Sequence, residues 1–158
     1  LRGEAGRLCI KGPTGCIYLD NLEEQKKYVQ NGWNLTNDIC SQDGEGNFWY
    51  HTRGDDLIIS SGYNISNIEI ENILLTHTQV KECAVIGEPD PERGQVVRAF
   101  IVLKPEISPS KDLAAALQLF VKNTLAPYKY PRIVTFVENL PRTETGKIQR
   151  YKLKMVPI

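Results

Sequence analysis

One lysine near the end of the chain stands where it could meet an anion. Lys147 lies in the segment PRTETGKIQR, a polar stretch in which two threonines and a glycine surround it. A lysine ammonium is a compact cation with three hydrogen-bond donors, which suits a single oxyanion. The alternative is a loop lysine that meets only water, since most lysines in proteins are exposed.

The dipeptide Gly146–Lys147 invites comparison with the phosphate-binding loop, whose pattern is GxxxxGK[ST]. The position five residues before Gly146 holds Pro141 instead of glycine, and Ile148 replaces the serine or threonine. The surrounding sequence also supplies no strand, loop and helix in which several amides could cradle phosphates. We therefore reject a phosphate-binding loop.

The composition indicates a folded chain without a strong electrostatic signature. Of the 158 residues 41 % are hydrophobic, and 19 basic residues balance 19 acidic ones. This balance indicates neither a nucleic-acid nor an anionic-membrane partner, and no apolar run approaches the roughly 20 residues that span a bilayer. We expect no signal peptide, because the first residues lack a basic region followed by an apolar one. The cysteines and histidines lack the spacing of a zinc site or a disulfide scaffold. We expect no metal site and a reducing, cytoplasmic location. The cysteines are Cys9, Cys16, Cys40 and Cys83, and the histidines are His51 and His77.

The elements that must position Lys147 follow an α+β pattern. Alternating or apolar runs predict strands at 7–11, 48–51, 57–60, 80–88, 95–104 and 132–137. Helices are predicted from 20 to about 32, from 66 to about 77, after 109 and at 148–154. The first two open on capping-box patterns, Asp20 with Glu23 and Ser66 with Glu69. The short turn between 88 and 95 predicts an antiparallel hairpin whose second strand is buried on both faces.

The predicted elements divide the chain into two parts. Residues 1–54 are β-rich and too few to form a stable hydrophobic core of their own. We therefore expect them to be the tail of a large N-terminal domain. Residues 55–158 are expected to form a small C-terminal domain with a mostly antiparallel sheet flanked by helices. Three aromatic residues are expected in the core of the tail, although they could form an exposed platform instead. They are Trp33, Trp49 and Tyr50.

Several blocks of sequence resemble, in the same order, the C-terminal third of the adenylate-forming (AMP-binding) acyl-CoA synthetases. The residues in these blocks are most similar to those of the medium-chain acyl-CoA and benzoate-CoA ligase branch. The blocks are GEAGRLCIKGP, GWNLTND, TRGDDLIISSGYNI, EIENILL, VKECAVIGEPDPERGQVVRAFIVLKP and YKYPRIVTFVENLPRTETGKIQR. The resemblance implies an ATP-dependent ligase that converts a carboxylate to an acyl-adenylate and then to a CoA thioester.

The resemblance also implies roles for single residues. Lys147 matches the family lysine that contacts the substrate carboxylate and the α-phosphate during adenylate formation. Asp38 matches an aspartate that binds the ribose hydroxyls of ATP, and its alternative is a turn or cap residue. Arg53 matches an arginine that reaches the ribose and phosphates, and its alternative is a surface ion pair.

Two further matches concern movement and the second half-reaction. Asp55 matches the hinge about which the small domain turns between the two steps, and Gly54 beside it fits a joint that changes conformation. Ser61, Gly62 and Tyr63 match a loop that lines the pantetheine tunnel for CoA. The alternative for this loop is an ordinary strand-to-helix turn.

Three positions depart from the family pattern. Asn37 stands where the family has glycine, and asparagine tolerates the left-handed region better than most residues. Asn64 stands where many relatives have arginine, and Ile59 where some have lysine. The basic end formed by Lys147, Arg150, Lys152 and Lys154 could attract CoA phosphates or be a solvated helix face.

The family's phosphate loop, magnesium-binding region and acyl pocket lie in its N-terminal domain, and nothing here resembles them. ATP or AMP, CoA and Mg²⁺ are thus expected for the intact enzyme, with the Mg²⁺ site outside this chain. Because the chain begins at Leu1 and has Met155 as its only methionine, we expect a piece of a longer protein that is inactive alone. Its expected partners are the missing N-terminal domain, a small medium-chain or aromatic acid, and CoA. The alternatives are a free-standing binding module and an adenylating domain that loads a carrier protein.

Overall fold

The computed structural model describes residues 3–15 and 17–157. They form two compact units, one ending at Asp55 and the other beginning at Asp56. Leu1 and Cys16, to which two of the sequence observations refer, lie outside the described residues. None of the helices in the described residues is long and apolar enough to cross a membrane.

The first unit is a four-stranded antiparallel sheet with one short helix. Its central strand pairs with each of the others. The elements are β1 (Gly6–Ile10), α1 (Leu22–Tyr28), β2 (Val29–Gln30), β3 (Trp33–Gln42) and β4 (Phe48–Arg53). The strands predicted at 7–11 and 48–51 are confirmed. The central strand β3 was not predicted, because its polar middle lacks the apolar alternation that indicates a strand.

Helix α1 begins one residue later than its capping-box pattern predicts. Asn21, not Asp20, is the N-cap, and its side chain accepts a hydrogen bond from the backbone N–H of Glu24 at 3.1 Å. Asp20 takes a φ of 50°, which lies outside the helical region. The helix ends before Val29, which is extended, so the predicted end near Gly32 is also wrong.

The aromatic residues of the first unit do not form a core, which contradicts the prediction. Trp33, Trp49 and Tyr50 are 44 %, 60 % and 52 % exposed. Of the described residues in this unit, only Cys40 and Thr52 are buried. The physical reason is size, since a single small sheet with one short helix cannot cover both of its faces.

The second unit is an α+β domain, as predicted. Its sheet has the order β6-β5-β8-β7, and β9 pairs with β8 in parallel while every other described pairing is antiparallel. The elements are β5 (Ile58–Ser60), β6 (Tyr63–Ile65), α2 (Asn67–Leu75), β7 (Val80–Asp90), β8 (Gly94–Leu103), α3 (Lys111–Thr124), a 3-10 turn (Pro127–Lys129), β9 (Ile133–Phe136) and α4 (Arg150–Leu153).

Strand β8 is the centre of the core and is buried on both faces, as predicted. On one face Val97 and Ile101 pack with Leu117 and Val121 of α3 in the larger cluster. On the other face Phe100 belongs to a second cluster. The members of that cluster are Ala84, Ile86, Phe100, Val102, Leu140 and Leu153. Because Leu140 and Leu153 flank Lys147 in sequence, this second cluster anchors both ends of the segment that carries the lysine.

Helix α2 forms where it was predicted but without the predicted capping box. Ser66 is the N-cap residue, but its side chain makes no capping hydrogen bond to a backbone N–H in the described part of the chain. The Glu69 carboxylate instead accepts hydrogen bonds from Lys129 Nζ at 2.7 and 2.8 Å. Glu69 is therefore held in an ion pair with the segment that follows α3.

Candidate functional site

Lys147 lies on a short hairpin that is closed by backbone hydrogen bonds. Arg142 and Ile148 form an isolated antiparallel bridge. Inside it the Thr143 N–H donates to the Lys147 carbonyl at 2.8 Å, and the Lys147 N–H donates to Thr143 Oγ1 at 3.0 Å. Gly146 turns the chain with a φ of +83°, a conformation that glycine adopts without strain.

The side chain of Lys147 is exposed and its ammonium is uncommitted. No ion pair or hydrogen bond joins its Nζ to any group in residues 3–15 and 17–157. The backbone of the hairpin is therefore held while the cation remains in solvent. This arrangement excludes a lysine that is locked in an ion pair of its own unit, and it leaves the ammonium available to an anion.

Asp38 and Arg53 are neighbours across strands β3 and β4, where they are directly paired. Both line a cleft of about 460 Å³ in the first unit. Arg7 and Lys27 add two further cations to its wall, and Tyr18 and Tyr28 meet edge to face beside them. The structure thus brings the two residues expected to bind a nucleotide into one polar cleft, in which Lys27 is paired with Glu24.

Arg53 also makes the surface ion pair that was its alternative interpretation. Its Nε lies 3.1 Å from Asp55 Oδ1, and both side chains are about half exposed. Such exposed pairs contribute little to stability and exchange easily with water or another anion. The pair therefore joins the expected nucleotide-binding arginine to the expected hinge residue.

Asn37 does not occupy a turn, so the expectation of a left-handed asparagine is wrong. It lies within β3, and the Gly54 N–H donates to its backbone carbonyl at 2.6 Å. A Cβ added at Gly54 would stand 2.8 Å from Asn37 Oδ1, which is closer than real Cβ atoms approach. Glycine at this position thus permits a close approach to Asn37.

Ser61 and Gly62 form the turn of a β-hairpin between β5 and β6, not a strand-to-helix turn. Their φ values of 48° and 81° are those of a two-residue hairpin turn. The Ser61 N–H donates to the Arg93 carbonyl at 2.9 Å, and Tyr63 stacks on Tyr128 with ring centroids 4.3 Å apart. The turn is therefore fixed on a rigid support, with Tyr63 half exposed beside it.

The two other departures from the family pattern lie on the same hairpin. Ile59 and Asn64 are directly paired across β5 and β6. Both side chains are exposed, and the Ile59 N–H donates to Gln95 Oε1 at 2.9 Å. This face of the hairpin consequently presents an apolar and an amide side chain to solvent.

Arg150 is not part of a solvated basic face, which corrects the sequence interpretation. Its Nη2 lies 2.9 Å from both carboxylate oxygens of Glu71, and its Nη1 lies 3.4 Å from Asp56 Oδ2. Glu71 also accepts from the Val85 N–H at 2.7 Å. Burial raises the pKa of the Glu71 carboxyl, although the Arg150 guanidinium opposes this effect. A glutamate on the apolar side of α2 was the signal that could have indicated the pair.

The described part of the chain contains no group of three or more His, Cys, Asp or Glu side chains that could hold a metal ion. Burial raises the pKa of the Cys83 thiol to about 12, so this cysteine is neither a ready nucleophile nor a ready ligand.

Comparison with known proteins places this architecture in a family. The family model described as the AMP-binding enzyme C-terminal domain matches residues 69–147. The chain therefore belongs to the AMP-binding enzyme C-terminal domain family, which confirms the resemblance seen in the sequence.

Among curated relatives, the chain is 43 % identical over 155 residues to the uncharacterized acyl-CoA ligase YtcI of Bacillus subtilis, with 96 % of this chain and 29 % of YtcI covered. It is 48 % identical over 161 residues to the human acyl-coenzyme A synthetase ACSM5, mitochondrial, with 96 % of this chain and 28 % of the relative covered. The chain thus spans less than a third of the relatives it matches.

Solved structures agree with the fold. An ATP-bound chimera of RpMatB and BxBclM superimposes with a TM-score of 0.90 at 38 % identity, covering 98 % of this chain and 31 % of the chimera. A benzoate CoA ligase from Burkholderia xenovorans gives 0.83 at 42 % identity, with 98 % and 31 % covered. The predicted similarity to the benzoate-CoA ligase branch is confirmed, whereas the roles of the individual site residues stay predictions.

Proposed function

We propose that this chain is the C-terminal portion of an ATP-dependent acid–CoA ligase, which forms an acyl-adenylate and then a CoA thioester. Family membership supports the reaction class. The observation that carries the proposal is the exposed Lys147 ammonium, which lacks an ion pair in the described residues and sits on a closed hairpin. Such a group is free to approach an oxyanion that another part of the polypeptide binds.

Lys147 is assigned to the first step. A carboxylate oxygen attacks the α-phosphorus of ATP, and the bond from that phosphorus to the pyrophosphate oxygen breaks. Negative charge is redistributed over the phosphoryl oxygens in the transition state, and a preorganised cation stabilises it without reorganisation. In the second step the CoA thiol loses its proton to solvent and its sulfur bonds to the acyl carbon, while the bond from that carbon to the phosphate oxygen breaks and AMP departs with the bonding electrons. That step forms and breaks no bond at phosphorus, so it does not require the lysine.

Asp38 and Arg53 are assigned to the nucleotide. A carboxylate can accept hydrogen bonds from two vicinal ribose hydroxyls, and a guanidinium can donate to phosphate oxygens. Their shared cleft of about 460 Å³ and the Arg7 cation in its wall support this assignment. The chimera was solved with ATP bound, which supports a nucleotide as the ligand of such a protein.

Asp55 is assigned as the hinge, and Ser61, Gly62 and Tyr63 as the loop that faces CoA in the second step. The two compact units divide at Asp55, which supports a joint there. The exposed Arg53–Asp55 pair would give way easily during rotation. The rigid β5–β6 turn offers backbone at Gly62 that a slender thiol arm can approach closely.

The proposal extends to partners that this chain does not contain. They are a large N-terminal domain with the phosphate loop and acyl pocket, a small medium-chain or aromatic acid, and CoA. Mg²⁺ is assigned to that domain as well. A cytoplasmic location is part of the proposal, and cell fractionation tests it against the mitochondrial location in the name of the human relative.

The complete ligase tests this function through its two half-reactions. Exchange of labelled pyrophosphate into ATP should require a carboxylic acid, with medium-chain alkanoates and benzoates compared side by side. Adding CoA should then produce AMP and a thioester in equal amounts. Absence of acid-dependent exchange would overturn the ligase proposal, and exchange with transfer only to a carrier protein would replace CoA as the acceptor.

A further inference from the structure

A second arginine contacts the peptide unit that carries the candidate catalytic lysine. Arg142 Nη1 donates to the Gly146 carbonyl at 2.7 Å, and Arg142 Nη2 donates to Glu82 Oε2 at 2.6 Å. One planar guanidinium therefore connects the tip of the hairpin to strand β7, from which Glu82 projects. The N–H donors of a guanidinium lie in a fixed plane, so Arg142 holds its two acceptors at a set angle to one another. A lysine ammonium could not hold them in this geometry.

The bridge acts on the direction of the Lys147 side chain. The Gly146 carbonyl belongs to the same planar peptide unit as the Lys147 N–H, so a bond to one orients the other. That N–H donates in turn to Thr143 Oγ1, and the Lys147 carbonyl accepts from the Thr143 N–H. Both peptide units beside Lys147 are thus held, and the freedom that remains belongs to the side chain.

The bridge is poorly placed to serve global stability. Arg142 and Glu82 are 42 % and 35 % exposed, and exposed ion pairs contribute little to folding. The contrast within the same unit is Arg98, which is fully buried and holds the carbonyls of Val156 and Pro157 at 2.8 Å. Arg98 has the environment of a structural arginine, whereas Arg142 has that of a group that orients a surface loop.

We propose that Arg142, anchored on Glu82, is a positioning residue that holds the hairpin tip so that the Lys147 ammonium reaches the phosphoryl oxygens of the nucleotide. This inference rests on the proposed function. It assigns to Arg142 no contact with substrate, because the residue acts through the Gly146 carbonyl.

Arg142→Gln in the complete ligase should lower the kcat of adenylate formation by about 10- to 100-fold, the cost of a small misplacement of a catalytic group. The KM for ATP should change little, and thioester formation from supplied acyl-adenylate should be unaffected. Glu82→Gln should show a smaller loss of the same kind. Arg142→Lys should be intermediate, because an ammonium can still reach one of the two acceptors. Lys81→Gln is the matched control, since it removes the other cation beside Glu82, 3.9 Å from its Oε1, without touching the hairpin.

Amide hydrogen exchange of the chain itself provides a readout that does not depend on activity. In Arg142→Gln the amides of Thr143 and Lys147 should exchange about tenfold faster while those of β7 and β8 keep their wild-type rates. A ligase without acid-dependent pyrophosphate exchange would overturn the proposed function, and faster hairpin exchange in the variant would still show that Arg142 holds the tip. Wild-type adenylation by an Arg142→Gln ligase, or unchanged hairpin exchange, would overturn the positioning role alone.

Discussion

Replacing Arg150 by methionine should destabilise the second unit in a pH-dependent manner. The Glu71 carboxylate is 8 % exposed and receives hydrogen bonds from Arg150 Nη2 and the Val85 N–H. Methionine fills a similar length of space but supplies neither a charge nor a donor. Glu71 would then be a buried carboxylate with a single described donor, the Val85 N–H.

The magnitude follows from the cost of an uncompensated buried charge. Removing one partner of a buried ion pair typically costs about 3–5 kcal/mol of folding free energy. The lower end applies here, because the Arg150 side chain is 21 % exposed and the Val85 N–H remains. We therefore expect a loss of about 3 kcal/mol near neutral pH, a large fraction of an ordinary domain's stability.

The sign of the pH dependence follows from the direction of the Glu71 shift. Burial already raises the pKa of this carboxyl in the folded chain, and loss of Arg150 raises that pKa further. The folded state then binds a proton that the unfolded state releases, so stability is full below the unfolded pKa and falls as the pH rises through the folded pKa. The deficit of Arg150→Met should thus be greater at about pH 8 than at about pH 5.

Urea unfolding followed by helical circular dichroism measures the deficit, since α2 and α3 lie in the second unit. The double variant Glu71→Gln/Arg150→Met should regain most of the loss and its pH dependence should disappear. Arg93→Met is the control, because it removes an arginine of the same unit whose partner, Glu92, is 80 % exposed. An equal deficit at both pH values, or a double variant as unstable as the single one, would refute the reasoning.

Two further changes test the joint between the units. Gly54→Ala should cost roughly 1 kcal/mol of first-unit stability because its Cβ meets Asn37 Oδ1, and Asn37→Gly in the same chain should relieve the cost. Unfolding monitored by the fluorescence of Trp33 and Trp49 measures this, and an unrelieved double variant would contradict the steric explanation. Asp55→Pro, which fixes φ, should slow overall thioester formation in the complete ligase while each half-reaction persists. Unchanged overall turnover would argue against Asp55 as the hinge.

The elements that follow from local pattern were predictable. Strand β8 is apolar on both faces, and α3 repeats Leu113, Leu117 and Val121 on one side, so periodicity alone located them. Strand β3 has no such pattern in its sequence. It is a strand because it pairs with three other strands, and a local pattern does not show that pairing. The aromatic residues of β4 were wrongly predicted to be buried. Residue type indicates only a preference for burial, whereas the extent of the surrounding sheet determines whether a side chain is covered.

The candidate site was likewise predictable only in part. Lys147 and its glycine were evident from residue types in a short segment. The two arginines beside it were not, because Arg142 meets Glu82 across 60 positions and Arg150 meets Glu71 across 79. Only the packing of the hairpin and α4 against α2 and β7 brings these charges together, and no local pattern encodes that packing.

The central claim is that Lys147 delivers a cation to the nucleotide in the adenylation step alone. Lys147→Ala in the complete ligase should lower pyrophosphate exchange by about 100-fold or more, comparable with the loss of one electrostatic donor at a transition state. Lys104→Ala, which removes another exposed lysine of the same unit, is the control. The account predicts that Lys147→Ala still converts supplied acyl-adenylate and CoA to thioester at the wild-type rate. An equal loss in both half-reactions would contradict it.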